Sequence, residues 1–117
     1  PVRVLASDSE YDQEVLGSRS VLVAVSLLFY FSFNLFRQVI VDFFATWCGP
    51  CQAIEPAMEN LSRTYPNARF VKVDVDRLQR SAQSAGVRAM PTIHAYRDGR
   101  QLGEVVGADM GAIESLI

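Results

Sequence analysis

The chain has 117 residues, half of them hydrophobic and 21% charged. That length suits one domain, and that apolar share can fill a buried core, which excludes a disordered chain. A formal net charge of −2 excludes the electrostatic footprint of a nucleic-acid binder.

In chain order, "VRVL" (2–5) predicts a short strand. "SDSEYDQEVL" (7–16) predicts a helix with Ser7 or Asp8 as N-cap, Glu10 in its first turn and Gly17 as its stop. From Val21 to Phe36 there is no charged residue, and Phe29, Tyr30, Phe31, Phe33 and Phe36 crowd together. "VIVDFFA" (39–45) reads as a strand buried on both faces of a parallel sheet. "CGPCQAIEPAMENLSRTY" (48–65) has helical spacing at Ile54, Met58 and Leu61, with Pro56 expected to kink it. "ARFVKVDVD" (68–76) predicts a strand, and "VDRLQRSAQSAG" (75–86) a helix stopped by Gly86. "PTIHAY" and "QLGEVV" flank "RDGR", a hairpin signal built on Asp98-Gly99. "ADMGAIESLI" (108–117) predicts a last, short helix with Asp109 near its start. Strand–helix alternation followed by a hairpin implies an α/β fold whose sheet mixes parallel and antiparallel strands.

The two cysteines, Cys48 and Cys51, stand as C-x-x-C at the start of a predicted helix. In that setting they read as a redox pair of a reducing compartment, not as a secreted disulfide framework. Free amides and the positive helix end favour the thiolate of Cys48, which makes it the nucleophile. Cys51, one turn further in, becomes the thiol that resolves the mixed disulfide. Gly49 and Pro50 hold the short loop, and a proline this early in a helix costs little. Structural zinc wants four ligands, and two Cys with the single His94 do not supply them, so no metal is expected. His94, in the strand after Pro91, reads as a core or sheet-face histidine rather than a catalytic one.

"VDFFATWCGPC", "FVKVDVD", "AGVRAMPT" and "VVGAD" together resemble the thioredoxin family in its eukaryotic, rather fungal form. The likeness covers the chain except for about residues 20–38. It implies a thioredoxin fold over 1–117, a central mixed sheet flanked by helices on both faces. It also implies a protein dithiol–disulfide oxidoreductase that binds no cofactor, reduces target proteins, and is regenerated by an NADPH-dependent thioredoxin reductase. Asp42 matches the family's buried acid and becomes a candidate proton acceptor for Cys51, its burial raising its pKa. Pro91 matches the family's cis-proline, which leaves the Met90 backbone to pair with an extended substrate. Trp47, Gly107 and Ala108 match the apolar rim on which targets dock. Lys72 matches a position where some members place a lysine near the acid. Gln52 departs from the pattern, standing where a Lys or Arg is usual, and Met110 and Gly111 replace better helix openers.

The apolar run at 21–38 interrupts this pattern. A membrane span needs about 20 apolar residues, and the run falls short, with Ser26, Ser32 and Asn34 inside it, so stable membrane insertion is not expected. Phe29 to Leu35 alternates with the period of a half-buried strand. Alternatively, Val25–Gln38 fits a translated intron, bounded by a Val-Ser donor and a Gln acceptor. An insertion here enters at the end of the sheet remote from Cys48, and exposed Phe and Leu would favour self-association. A non-catalytic, self-associating or membrane-peripheral protein is therefore the alternative function. No basic, apolar and small-residue leader pattern follows Pro1, so no signal peptide and a cytoplasmic location are expected, which disfavours a secretory oxidase or isomerase.

Overall fold

One strand, Gln38–Phe44, organises the sheet. The computed structural model describes residues 1–17 and 38–117. Its elements in chain order are β1 (Val2–Val4), α1 (Asp8–Glu14), β2 (Gln38–Phe44), α2 (Gly49–Thr64), β3 (Ala68–Asp74), α3 (Gln79–Ser84), β4 (Thr92–Arg97), β5 (Arg100–Val106) and α4 (Met110–Leu116). The sheet order is β1-β3-β2-β4-β5, so β2 lies at the centre. It runs parallel to β3 and antiparallel to β4. β1 joins β3 in parallel, and β5 joins β4 as the expected hairpin. Asp98 and Gly99 both take positive φ (53° and 76°), the backbone that a two-residue hairpin turn requires.

The period of two along β2 divides the core. Val39, Val41 and Phe43 pack on one face with Tyr11, Val15, Leu78 and Ala82, under α1 and α3. Ile40 packs on the other with Ile54, Met58, Leu61 and Ile113, under α2 and α4. The helices that flank the sheet on both faces thus follow from a strand with apolar residues at every position but Gln38 and Asp42.

Local chemistry sets the helix starts. The Ser7 hydroxyl accepts from the Glu10 amide at 3.1 Å, and Asp109 accepts from Ala112 at 3.1 Å. The helix expected over 75–86 is shorter, Gln79–Ser84. The reason is Asp74: its carbonyl takes the amides of Arg77 and Leu78, and its carboxylate takes the amide of Asp76, folding the segment into a turn first. β2 begins one residue earlier than expected, at Gln38, whose side chain donates to the Leu116 carbonyl at 3.0 Å. That end of β2 is opposite the end that leads to Cys48. The readings of residues 21–37, including a strand at Phe29–Leu35, lie outside the described residues.

Gly86 and Gly99 separate two costs. Both have positive φ, but a Cβ on Gly86 meets nothing, whereas one on Gly99 would lie 2.5 Å from the backbone oxygen of Leu16. Gly86→Ala should cost about 1 kcal/mol of left-handed strain, and Gly99→Ala clearly more. Urea unfolding of both variants checks this; equal losses would contradict the packing of the hairpin tip against Leu16.

Candidate active site

β2 ends at Phe44, and the chain turns through Ala45 to Trp47 into α2. Cys48 is the N-cap of α2, in extended backbone conformation, and Pro50 sits in the first turn. The Cys51 amide donates to Cys48 Sγ at 3.2 Å. The two cysteines are joined as a disulfide, with Cα atoms 5.3 Å apart. Both are buried, packed with Ala45 and against Phe44, Val75 and Met90. A sulfur at this position receives one of the unpaired amides at the helix start and the positive end of the helix dipole, which together stabilise a thiolate over a thiol.

The Met90–Pro91 peptide is cis, and the Met90 carbonyl oxygen lies 3.6 Å from Cys48 Sγ. The loop of Gly107 is tied to this turn, because the Gly107 amide donates to the Pro91 carbonyl at 2.8 Å. Gly107 has φ +105°, which a side chain would strain, although a Cβ there would meet no neighbour. Ala108 beside it is exposed. Trp47 is 68% exposed, and its indole N–H donates to Asp76 Oδ2 at 2.9 Å. The geometry thus brings Met90 and Pro91 to the cysteines and links Gly107 to Pro91, while Trp47 lies one residue before Cys48.

Asp42 lies on the sheet face covered by α2 and is 1% exposed. Its Oδ1 accepts no hydrogen bond from the described residues. Burial pushes its carboxyl up from 3.8 to about 6; Lys72 pulls it down and Glu55 pushes it up. Lys72 is its register partner on β3, yet the Lys72 ammonium bonds Glu55 Oε1 at 3.0 Å and sits 4.2 Å from the Phe44 ring centroid. A buried carboxyl with a raised proton affinity thus stands on the strand that leads to the dithiol. Gln52 is turned back, its amide donating to the Thr46 carbonyl at 2.8 Å.

His94 is fully buried and pairs in register with Val41, on the sheet face opposite Asp42. Its Nε2 lies 2.7 Å from Glu104 and its Nδ1 3.1 Å from the Tyr96 hydroxyl, which in turn contacts the Tyr11 hydroxyl at 3.3 Å. It is a satisfied core histidine. The sequence reading passes over Glu55 and Asp76. Glu55 had a signal, since it stands four residues after Cys51 and so on the same side of the helix. Asp76 had none, because its contact with Trp47 crosses between two loops. Among the described residues there is no cluster of His, Cys, Asp and Glu able to hold a metal ion, and no helix long and apolar enough to cross a membrane.

Fold and site together define a protein whose chemistry is reversible disulfide formation at a helix N-terminus. The family model described as Thioredoxin matches residues 31–117. Thioredoxin-1 of Schizosaccharomyces pombe is 53% identical over 81 residues, 69% of this chain and 79% of that one. Thioredoxin-1 of Saccharomyces cerevisiae is 49% identical over 81 residues, 69% of this chain and 79% of that one. Among solved structures, a Schistosoma mansoni thioredoxin superposes with a TM-score of 0.76 at 37% identity, covering 99% of this chain and 92% of that one. The chain belongs to the thioredoxin family, and it is a dithiol–disulfide oxidoreductase whose redox centre is Cys48–Cys51.

The burial of Asp42 has a price in stability. A carboxyl that holds its proton more tightly when folded stabilises the fold most when protonated. That contribution is complete below about pH 3.8 and is lost as pH rises through about 6. Asp42→Asn, which cannot ionise, should therefore be more stable than the parent chain by about 3 kcal/mol at pH 8 and by little at pH 4. Urea midpoints at the two pH values measure this, and a difference independent of pH would rule it out.

Proposed function

We propose that the chain reduces disulfides of target proteins, with Cys48 as nucleophile and Cys51 as resolving thiol. The observation that carries the reading is the Cys51 amide aimed at Cys48 Sγ, 3.2 Å away, at the start of a 16-residue helix. The Cys48 thiolate attacks one sulfur of the target disulfide; a mixed disulfide forms and the other target sulfur leaves as thiolate. Cys51 then loses its proton to Asp42 and attacks Cys48 Sγ. The Cys48–Cys51 disulfide forms, the second target sulfur leaves, and both target thiolates take up protons. Two electrons pass from the dithiol to the target, and no bound cofactor enters these steps.

Trp47, Met90, Pro91, Gly107 and Ala108 form the docking surface in this proposal. Support comes from the cis turn that holds the Met90 carbonyl 3.6 Å from Cys48 Sγ, and from the exposure of Trp47 and Ala108. An extended target segment beside Cys48 would pair with the Met90 backbone as an added strand. Thioredoxins are generally reduced by thioredoxin reductase, so we assign regeneration of the dithiol to such an NADPH-dependent enzyme. The cytoplasm is the compartment this reading favours, because a dithiol that must be kept reduced suits a reducing environment. The non-catalytic alternative is not favoured, since it leaves a cysteine pair at disulfide distance without a use.

Reduction of insulin disulfides by dithiothreitol should accelerate with this chain, and Cys48→Ser should return the rate to that of dithiothreitol alone. Cys51→Ser should instead accumulate a mixed disulfide through Cys48, visible by mass. Folded chain that gives no acceleration would refute the proposal. Gln52→Lys would place a cation near the thiols and should lower the pH midpoint of Cys48 alkylation by about 0.3 to 0.5 unit; an unmoved midpoint would show that position 52 does not act on the thiol electrostatically.

A further inference from the structure

Asp42 has a cation as its register partner on β3 and yet keeps a buried oxygen with no partner among the described residues. In the parallel register of β2 and β3 it faces Lys72, whose side chain is 16% exposed and rises along the same sheet face. An ammonium so placed would ordinarily pair with the buried carboxylate and lower its proton affinity. Here it is bonded to Glu55 at 3.0 Å and rests over the Phe44 ring, while Asp42 Oδ1 accepts nothing among the described residues. Glu55 is half exposed, so it draws the ammonium toward the rim of the site. From β4 the register partner of Asp42 is Ile93, which carries no charge. The charged groups acting on Asp42 are thus Lys72 from β3 and Glu55 from α2, and α2 also carries the thiol Cys51 one turn before Glu55.

We propose that Glu55 is a positioning residue for the exchange reaction: by holding the Lys72 ammonium it withholds that cation from Asp42, and so sets the pH at which Asp42 can take the proton of Cys51. This deepens the reading above and rests on Asp42 as the proton acceptor. Glu55 acts in two ways of the same sign. It occupies the cation, and it adds a negative charge of its own near a second carboxylate. Both make Asp42 hold its proton to higher pH. The first way is specific to the contact with Lys72; the second would persist without it.

The test uses the full chain and two readouts, the titration of the Asp42 carboxyl carbon by NMR and the pH profile of insulin reduction. Glu55→Gln should lower the Asp42 midpoint by about 0.5 to 1 pH unit, and move the acid limb of the rate profile down by a similar amount. In a Lys72→Met background, where Asp42 titrates higher, Glu55→Gln should give less than half that displacement. An equal displacement in both backgrounds would overturn the proposal, because Glu55 would then act as a bare charge and not by holding Lys72. An Asp42 midpoint unmoved by Glu55→Gln, with the acid limb abolished by Asp42→Asn, would overturn it while leaving Asp42 as the proton acceptor. An acid limb that survives Asp42→Asn would refute the role of Asp42 itself, and Glu55 would have no route to the reaction.

Discussion

The hydrogen bond from the Cys51 amide to Cys48 Sγ joins the fold to the chemistry. It exists because β2 ends where α2 begins, and because Cys48 occupies the N-cap, the one position of the helix whose side chain meets free amides. Serine, threonine or aspartate would serve that position for stability alone. A cysteine there exchanges a cap oxygen for a sulfur whose ionised form the same amide and the helix dipole favour. The central place of β2 in the sheet fixes the junction from both sides, with β3 and β4 bonded along its length. The cis turn at Met90–Pro91 is held against it by β4, and the Gly107 loop by a bond to Pro91.

The same strand divides the molecule's polar interior into two unlike halves. On the α2 face, a carboxyl is buried with an oxygen that has no partner among the described residues, and its proton affinity is raised at a cost to stability above about pH 6. On the α1 face, His94, Glu104, Tyr96 and Tyr11 satisfy one another in a continuous hydrogen-bonded chain. Burial and the Tyr96 hydroxyl push the Tyr11 phenol well above its ordinary range, so this chain stays protonated at the tyrosines under physiological conditions. The contrast separates roles. A complete buried network specifies packing, whereas a buried carboxyl without such a network holds its proton to higher pH.

What was readable in the residues was whatever depends on short spacing. The C-x-x-C at a helix start, the Asp98-Gly99 turn, and helix starts at Ser7 or Asp8 and near Asp109 all follow from neighbours within four positions. The family resemblance added the Met90–Pro91 turn, whose approach to Cys48 spans about forty residues of chain and leaves no local signature, and the Gly107 loop bonded to Pro91. Three features were not readable. The start of α3 is displaced because Asp74 captures amides two to four residues ahead, a choice between turn and helix that side-chain periodicity does not decide. The grip of Asp76 on Trp47 depends on how two loops meet. The pairing of Lys72 with Glu55 instead of Asp42 depends on which of two carboxylates the ammonium reaches, and both were equally plausible as residue types.

The central claim is that the start of α2 makes Cys48, and not Cys51, the nucleophile. The most direct measurement is alkylation of the reduced chain by iodoacetamide across pH, with the modified cysteine located by peptide mass. The account predicts that Cys48 reacts first and that its rate rises with a midpoint below about 8.5, the ordinary value for a free cysteine. Prior modification of Cys51, or a Cys48 midpoint at or above that value, would contradict it.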